Sequence, residues 1–172
     1  MQTDRVARQL VVIRHAKAGA APRDIERPLT ERGHRDAAAI GDWLKKHSVA
    51  PDRAVVSPAR RALQTWSGAA ERLDRAPEPV VDERIYDNSM DLLFEIVAET
   101  PDEVESLVLV GHNPAFAALA SELDDGQGDA AARREMRTAF PTSAVAVFEL
   151  AGPWSLVAVA TGNLTAFATP RG

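Results

Sequence analysis

Two aliphatic runs in the sequence each end abruptly at polar residues. Residues 10–13 are Leu-Val-Val-Ile and lead into Arg14 and His15, while residues 107–110 are Leu-Val-Leu-Val and lead through a glycine into His112. Short continuous aliphatic runs are typical of strands buried on both faces, as in the parallel sheets of α/β domains. Ligands bind such sheets beyond the carboxyl ends of the strands. The two runs therefore predict an α/β domain whose binding site contains both histidines.

A third short strand, predicted at residues 54–56, ends in Ser-Pro and is followed by Arg60 and Arg61. A cap residue before proline indicates the start of a helix, here and at Asn113, and free N–H groups at helix starts favour an anion. If the three strands are parallel neighbours, their ends meet at one edge of the sheet. The planar fork of arginine suits phosphate oxygens. We therefore predict a site for a doubly negative phosphoryl group, with Asn113 among the phosphate-binding candidates.

The remaining segments predict an alternation of helices and strands. Thr30 is the expected N-cap of an amphipathic helix, and residues 77–82, with two prolines, are expected to form a short edge strand. Late strands at 144–150 and 155–160, joined by a Gly-Pro turn, are expected to pair antiparallel. We predict an α/β fold, a three-layer α/β/α sandwich with a mostly parallel central sheet and a C-terminal antiparallel hairpin. The length of 172 residues fits one domain over 1–172.

The composition excludes several classes of protein. The absence of cysteine excludes a disulfide framework, a thiolate zinc site and a cysteine nucleophile. A net charge of −5 argues against nucleic acid or a membrane surface as partner. The first ten residues lack the apolar centre of a signal peptide, and no apolar run approaches the ~18 residues that span a bilayer. We expect a cytoplasmic protein.

Other phosphate chemistries do not fit the sequence. The chain contains no Gly-rich loop ending in Gly-Lys-Ser/Thr, which P-loop nucleotidases require. Its four histidines show no metal-binding spacing, and His34 and His47 fall on a polar helix. We therefore expect no metal and no cofactor. What remains is a histidine that acts as nucleophile.

Six segments, taken together, form the pattern of a known family. They are Arg-His-Ala-Lys at 14–17, Pro-Leu-Thr-Glu-Arg-Gly at 28–33, Ser-Pro-Ala-Arg-Arg-Ala-Leu-Gln-Thr at 57–65, Gly-His-Asn-Pro at 111–114, Phe-Pro-Thr at 140–142 and Phe-Ala-Thr-Pro-Arg at 167–171. In this order and spacing they resemble the histidine phosphatase (phosphoglycerate mutase-like) superfamily, and in finer detail the small SixA-type phosphohistidine phosphatases. The resemblance covers nearly the whole chain.

The resemblance implies roles for particular residues. His15 is the nucleophile that becomes phosphorylated, and Arg14, Arg61 and His112 hold the phosphoryl oxygens. Arg60 is expected to stay outside the site. Attack requires a neutral His15, whereas His112 stabilises the phosphoryl group best when charged, so their environments are expected to separate the two titrations.

The chain departs from the larger members of the family at two points. Ala18 stands where those members carry Thr or Ser, so one hydroxyl contact to phosphate is missing. The glutamate that serves as general acid in the larger relatives has no clear counterpart. Among Asp82, Glu83 and Asp87, we select Glu83 as the candidate acid.

The sequence therefore predicts a metal-independent phosphatase that forms a phosphohistidine intermediate on its own nucleophile. The predicted substrate is phosphohistidine in other proteins. Expulsion of histidine needs no dedicated proton donor, which agrees with the ill-defined acid. A phosphatase or mutase for a small phosphate ester is the alternative. A phosphoprotein-binding module without catalysis is disfavoured, because binding alone needs no unprotonated nucleophile.

Overall fold

The computed structural model describes residues 7–172. Residues 1–6 lie outside the described part. The start of the predicted domain, 1–172, therefore lies outside it too. The same holds for most of the first ten residues, which are predicted to lack a signal peptide. No helix of the described part is both long enough and apolar enough to cross a bilayer.

A six-stranded sheet forms the centre of the molecule, in the order β3-β2-β4-β1-β5-β6. The strands are β1 (Arg8–Arg14), β2 (Arg53–Val56), β3 (Pro79–Val81), β4 (Ser106–Gly111), β5 (Val145–Leu150) and β6 (Gly162–Ala168). The first four strands of this order are mutually parallel, β5 runs antiparallel to β1, and β6 runs antiparallel to β5. The predicted fold class is confirmed, and β3 is the edge strand that its prolines favour.

Successive side chains of the central strands enter two separate hydrophobic clusters. Leu10 and Val12 belong to the cluster under the later helices, whereas Val11 and Ile13 belong to the cluster under the first two. All four are essentially inaccessible to solvent. A strand flanked by apolar layers on both faces requires this unbroken aliphatic pattern.

Within residues 7–172, six α-helices cover the two faces of the sheet. They are α1 (Glu31–Lys46), α2 (Arg60–Ala70), α3 (Glu83–Tyr86), α4 (Met90–Ala98), α5 (Ala115–Leu123) and α6 (Ala130–Thr138). Thr30 caps α1 as predicted, since its hydroxyl accepts from the Gly33 N–H at 3.0 Å. The predicted Ser57 and Asn113 caps are wrong by two residues or fewer, because α2 starts after Ala59 and α5 after Pro114.

The predicted strand at residues 155–160 is wrong. Trp154–Leu156 forms a turn of 3-10 helix, and the buried Trp154 donates from Nε1 to the Val104 carbonyl at 2.8 Å. The following residues up to 161 are largely exposed. The strand that pairs with β5 is Gly162–Ala168, where Leu164 and Phe167 supply the buried side chains. The antiparallel C-terminal pair therefore exists, but a longer connection joins its strands.

The last residues of the chain return to α1. Asp36 of that helix is fully buried, and its carboxylate accepts from Arg171 Nη1 and from the Gly172 N–H, each at 3.0 Å. Arg32 lies 3.6 Å from the same carboxylate. A buried carboxylate is tolerated only when it is paired and hydrogen-bonded, so this contact fixes the C-terminal segment against the helix.

Candidate active site

The four residues singled out for phosphate chemistry meet at the carboxyl edge of the parallel strands. Arg14 ends β1, His15 follows it, His112 follows β4, and Arg61 lies in the first turn of α2. They line one cavity of about 520 Å³. The full lining is Arg14, His15, Lys17, Ala18, Asp24, Arg27, Arg61, Tyr86, Asn88, His112, Asn113 and Thr142.

His15 is held with one defined ring nitrogen available for attack. Its Nδ1 lies 2.7 Å from the carbonyl oxygen of Ala16. Because a carbonyl oxygen can only accept, Nδ1 carries the hydrogen, and in the neutral ring Nε2 has the free electron pair. The His15 residue is 8% exposed. The ring is therefore oriented as a nucleophile through Nε2.

Thr65 of α2 fixes the backbone beside the nucleophile. Its Oγ1 accepts from the Ala16 N–H at 2.9 Å and donates to the Arg61 carbonyl at 2.7 Å. Both Thr65 and Ala16 are buried. One hydroxyl thus joins the loop that carries the nucleophile to the helix that carries an arginine of the site.

His112 lies beside the nucleophile, with the two ring centroids 5.2 Å apart. Its Nε2 shares a hydrogen bond of 2.7 Å with the hydroxyl of Ser57, which follows β2. Gly111 precedes it, and a Cβ there would lie 2.5 Å from both Ile85 and Phe116 side chains. The sequence needs glycine at this position because the strand end is packed directly against α3 and α5.

Arg14 is oriented by the segment that precedes β5. Its Nη1 donates to the Phe140 carbonyl at 3.1 Å, and the same carbonyl accepts from the Asn113 side-chain amide at 2.8 Å. Asn113 also accepts from the Ala117 N–H at 3.2 Å. The amide of Asn113 therefore connects α5 to the Phe-Pro-Thr segment while it lines the cavity, and its phosphate-binding role stays a prediction.

Arg61 is paired with a residue that the sequence did not single out. Its Nη1 donates to the Asp24 backbone carbonyl at 2.8 Å, and its Nη2 lies 3.1 Å from a carboxylate oxygen of the same residue. Tyr86 donates to that oxygen at 2.7 Å, and Arg27 reaches the other oxygen at 3.3 Å. Asp24 is thus fixed by three donors at the cavity.

The electrostatics of the site favour uncharged histidines and an ionised Asp24. Burial, with the nearby arginines, lowers the pKa of His15 to about 4, although the hydrogen bond to Ala16 acts in the opposite direction. Burial, His15 and Arg61 lower the pKa of His112 to about 3. The Tyr86 hydrogen bond and the arginines lower the pKa of Asp24 to about 2.

A protonated His112 is expected from the sequence. When the protein's own charges are the only ones around the ring, the neutral form is favoured instead. The cavity lining includes Arg14, Lys17, Arg27 and Arg61, whose positive charges oppose a further one. A phosphoryl dianion in contact with the ring would reverse this balance, because an opposite charge stabilises the protonated form. The geometry thus couples protonation of His112 to the presence of an anion.

Three buried nitrogens of these residues have no hydrogen-bond partner within residues 7–172: Arg14 Nε, Arg61 Nε and His112 Nδ1. An unpaired buried donor costs about 1–3 kcal/mol, and anionic oxygens are its strongest acceptors. Within the same range of the chain, no group of three or more histidine or carboxylate side chains could hold a metal ion. The donor set therefore fits a phosphoryl group.

Other predicted residues lie elsewhere. Glu83 is exposed at the start of α3 and is not among the residues that line the cavity, so the structure does not bring this candidate acid to the site. Arg60 is exposed and lines a neighbouring groove. Residues missed by sequence reasoning are Asp24, Arg27, Tyr86 and Asn88. Tyr86 and Asn88 follow β3, and the rule used for the other parallel strands would have placed them at this edge.

Comparison with known proteins points to one family. A profile of the histidine phosphatase superfamily (branch 1) matches residues 10–91. The phosphohistidine phosphatase SixA of Escherichia coli (strain K12) is 30% identical over 141 residues, which cover 80% of this chain and 83% of that protein.

Solved structures show the same similarity. A chain provisionally assigned as phosphohistidine phosphatase SixA from Nakamurella multipartitia is 33% identical, with a TM-score of 0.85 over 95% of this chain and 96% of that one. The protein histidine phosphatase SixA complexed with tungstate is 27% identical, with a TM-score of 0.77 over 94% and 97%. A mycobacterial glucosyl-3-phosphoglycerate phosphatase, 18% identical, shares the fold with a TM-score of 0.62 over 92% and 97%.

The chain belongs to the histidine phosphatase superfamily. Its similarity to SixA proteins extends over most of the sequence, and these relatives support a phosphatase.

Proposed function

We propose that this protein is a metal-independent phosphatase that transfers the phosphoryl group of phosphohistidine, carried by a protein, first to His15 and then to water. The supporting observation is a buried histidine with Nε2 available, set in one cavity with Arg14, Arg61 and His112. Phosphoryl transfer requires chiefly alignment and positive charge, and this arrangement supplies both.

In the first step, the Nε2 electron pair of His15 forms a bond to phosphorus while the bond to the leaving group breaks. The positive charge that develops on the His15 ring is stabilised by the Nδ1–H bond to the Ala16 carbonyl. The arginines hold the equatorial oxygens, where charge is greatest. His112 takes up a proton as the dianion enters and then donates to the same group.

In the second step, water attacks phosphorus from the side that the leaving group has vacated. The phosphorus–Nε2 bond breaks, its electron pair returns to His15, and phosphate leaves with the proton that water loses. The Nδ1 hydrogen stays on His15 throughout. The nucleophile is therefore regenerated in the tautomer that the Ala16 carbonyl selects.

The choice of phosphohistidine follows from the lack of a protonated carboxyl group among the residues that line the cavity. Asp24 is the one carboxyl group in that lining, and its depressed pKa keeps it ionised at neutral pH. An alkoxide leaves slowly without a positioned acid, which typically contributes about 10²–10⁴-fold. A phosphohistidine ring that is protonated on its second nitrogen leaves as neutral imidazole, a good leaving group because its conjugate acid has an ordinary pKa of about 6.5. The cavity therefore suits a nitrogen leaving group.

The covalent step is tested by rapid acid and alkaline quenching of the protein mixed with radiolabelled phosphohistidine peptide. We expect acid-labile, alkali-stable phosphate on the wild type and none on His15→Ala, which should also lose at least about 10³-fold in turnover. His34→Ala is the matched control, since His34 is exposed on α1. Near-normal turnover by His15→Ala, or phosphate that resists acid, would refute the mechanism.

The substrate class is tested by comparing phosphohistidine proteins with a panel of small phosphate esters. We expect the higher kcat/KM on phosphohistidine, with activity that survives excess EDTA. A preference for a small ester would replace the proposal by its alternative, the small-ester phosphatase. Loss of activity on chelation, restored by a divalent ion, would show that the reaction depends on a metal.

A further inference from the structure

Asp24 is an unusual residue for a phosphate site, because a carboxylate repels the group that the cavity binds. Among the twelve lining residues it carries the one negative side chain, beside four cationic ones. Hydrogen bonds hold its side chain in this position. Tyr86, Arg61 and Arg27 all donate to its carboxylate, and Arg61 also binds its backbone carbonyl.

The position of Asp24 relative to the nucleophile indicates which part of a substrate it meets. His15, His112 and Arg61 are buried, whereas the Asp24 side chain is 52% exposed. In phosphoryl transfer the attacking and leaving atoms lie on opposite sides of phosphorus. With the nucleophile on the cavity floor, the leaving group lies towards the mouth, on the side where Asp24 and the half-buried Tyr86 stand.

We propose that Asp24 is a specificity-determining residue that binds the protonated imidazole ring of a phosphohistidine substrate and disfavours anionic leaving groups. This inference rests on the proposed function. The ring of phosphohistidine has one nitrogen bonded to phosphorus, and its other nitrogen becomes an N–H donor when protonated. A fixed carboxylate at the mouth accepts that hydrogen bond and is attracted to the ring's positive charge. A carboxylated or further phosphorylated leaving group meets repulsion instead.

The step is balanced without any other reactant. The substrate ring enters as an imidazolium, the phosphorus–nitrogen bond breaks, and its electron pair stays on the departing ring nitrogen. The ring leaves as neutral imidazole and keeps the proton on its second nitrogen. His15 gains the phosphoryl group and the positive charge. Asp24 itself neither gains nor loses a proton, so its strong ionisation is an advantage here.

The role of Asp24 is tested with Asp24→Asn, which preserves the shape of the side chain and removes its charge. The probes are a phosphohistidine peptide and phenyl phosphate, compared as the ratio of their kcat/KM values. We expect this ratio to fall at least tenfold. For the peptide, kcat of the wild type should fall with rising pH at a midpoint about one pH unit above that of the variant, because the carboxylate stabilises the bound ring's proton. Phenyl phosphate has no such ring and should show only the smaller displacement that loss of the Asp24 charge causes through His112.

The matched control is Asp42→Asn. Asp42 is also an aspartate bound to an arginine, Arg72, at 2.8 Å and 3.1 Å, but Asp42 is exposed on α1 and Arg72 is exposed just after α2. It should leave the substrate ratio unchanged. A further measurement uses the wild type alone, in case Asp24→Asn does not fold: NMR titration of imidazole into the tungstate-saturated protein should show binding at pH 6 and little at pH 8.

The outcomes distinguish the role of Asp24 from the proposed substrate class. If the wild type prefers phosphohistidine but Asp24→Asn changes both substrates equally, or imidazole binds the tungstate-saturated protein equally at both pH values, Asp24 does not select the leaving group. If the wild type prefers phenyl phosphate at every pH, the proposed substrate class fails, and the role of Asp24 fails with it. A selective loss on phosphohistidine with the displaced midpoint supports both.

Discussion

Thr65→Val should separate the positioning of the nucleophile from the chemistry it performs. The Thr65 hydroxyl accepts from the buried Ala16 N–H at 2.9 Å, and valine has the same shape but offers no acceptor. A buried donor without a partner costs about 1–3 kcal/mol. With a urea dependence of about 2 kcal/mol per molar, a loss of ~2 kcal/mol lowers the unfolding midpoint by about 1 M.

The same substitution should lower kcat by about tenfold or more, because the Ala16 backbone holds the His15 ring and small displacements of a reacting atom are costly. Thr100→Val is the control. Thr100 is also buried and also donates to the carbonyl four residues earlier, at 3.1 Å, but lies in the loop after α4. Urea unfolding and steady-state hydrolysis of phenyl phosphate are measured for both variants. Full activity in Thr65→Val, or an equal loss of kcat in Thr100→Val, would refute the positioning role.

Three further predictions follow from the charges. Tungstate binding should weaken with rising pH between 6 and 8, by up to tenfold per pH unit, because His112 takes up a proton when the anion binds. Calorimetry in buffers of different ionisation enthalpy should show this proton uptake in the wild type and none in His112→Asn. The pKa values of His15 and His112 lie below the ordinary 6.5, so the stability linked to their neutral forms is complete above pH 6.5 and is lost as pH falls towards 4 and 3. Acid unfolding of His112→Gln should therefore start at a lower pH than that of the wild type. Arg171→Ala should cost about 1–3 kcal/mol in urea unfolding, because the buried Asp36 carboxylate then keeps the Gly172 N–H but has the more distant Arg32 as its charged partner; an unchanged midpoint would show that the Arg171 contact adds no stability.

The central part of this fold could be predicted because its signals are local and continuous. Residues 10–13 and 107–110 are aliphatic without interruption, and a strand between two layers of helices requires this. The same rule placed His15 and His112 at one edge. The strand at 155–160 was wrong because a short apolar run with a turn before it does not distinguish a strand from an exposed loop anchored by Trp154.

Asp24 could not be predicted, because its role depends on contacts between distant parts of the chain. It lies in a loop without periodicity, and its partners Arg61 and Tyr86 come from two other segments. Glu83 is the converse case. The resemblance points to a carboxylate among residues 82–87, but Glu83 at the start of α3 is exposed and does not line the cavity. The hydroxyl and the amide that follow it, of Tyr86 and Asn88, are the groups that reach the site.

The meeting of four strand ends at one edge also determines when during folding the protein can become active. The cavity lining draws on positions from Arg14 to Thr142, so nearly every strand and connection must be in place before the site exists. Parallel pairings of this kind close long loops and form late. Recovery of phosphatase activity therefore reports the late steps of refolding. A fragment that lacks β4 or the segment before β5 does not bring both histidines and the arginines together.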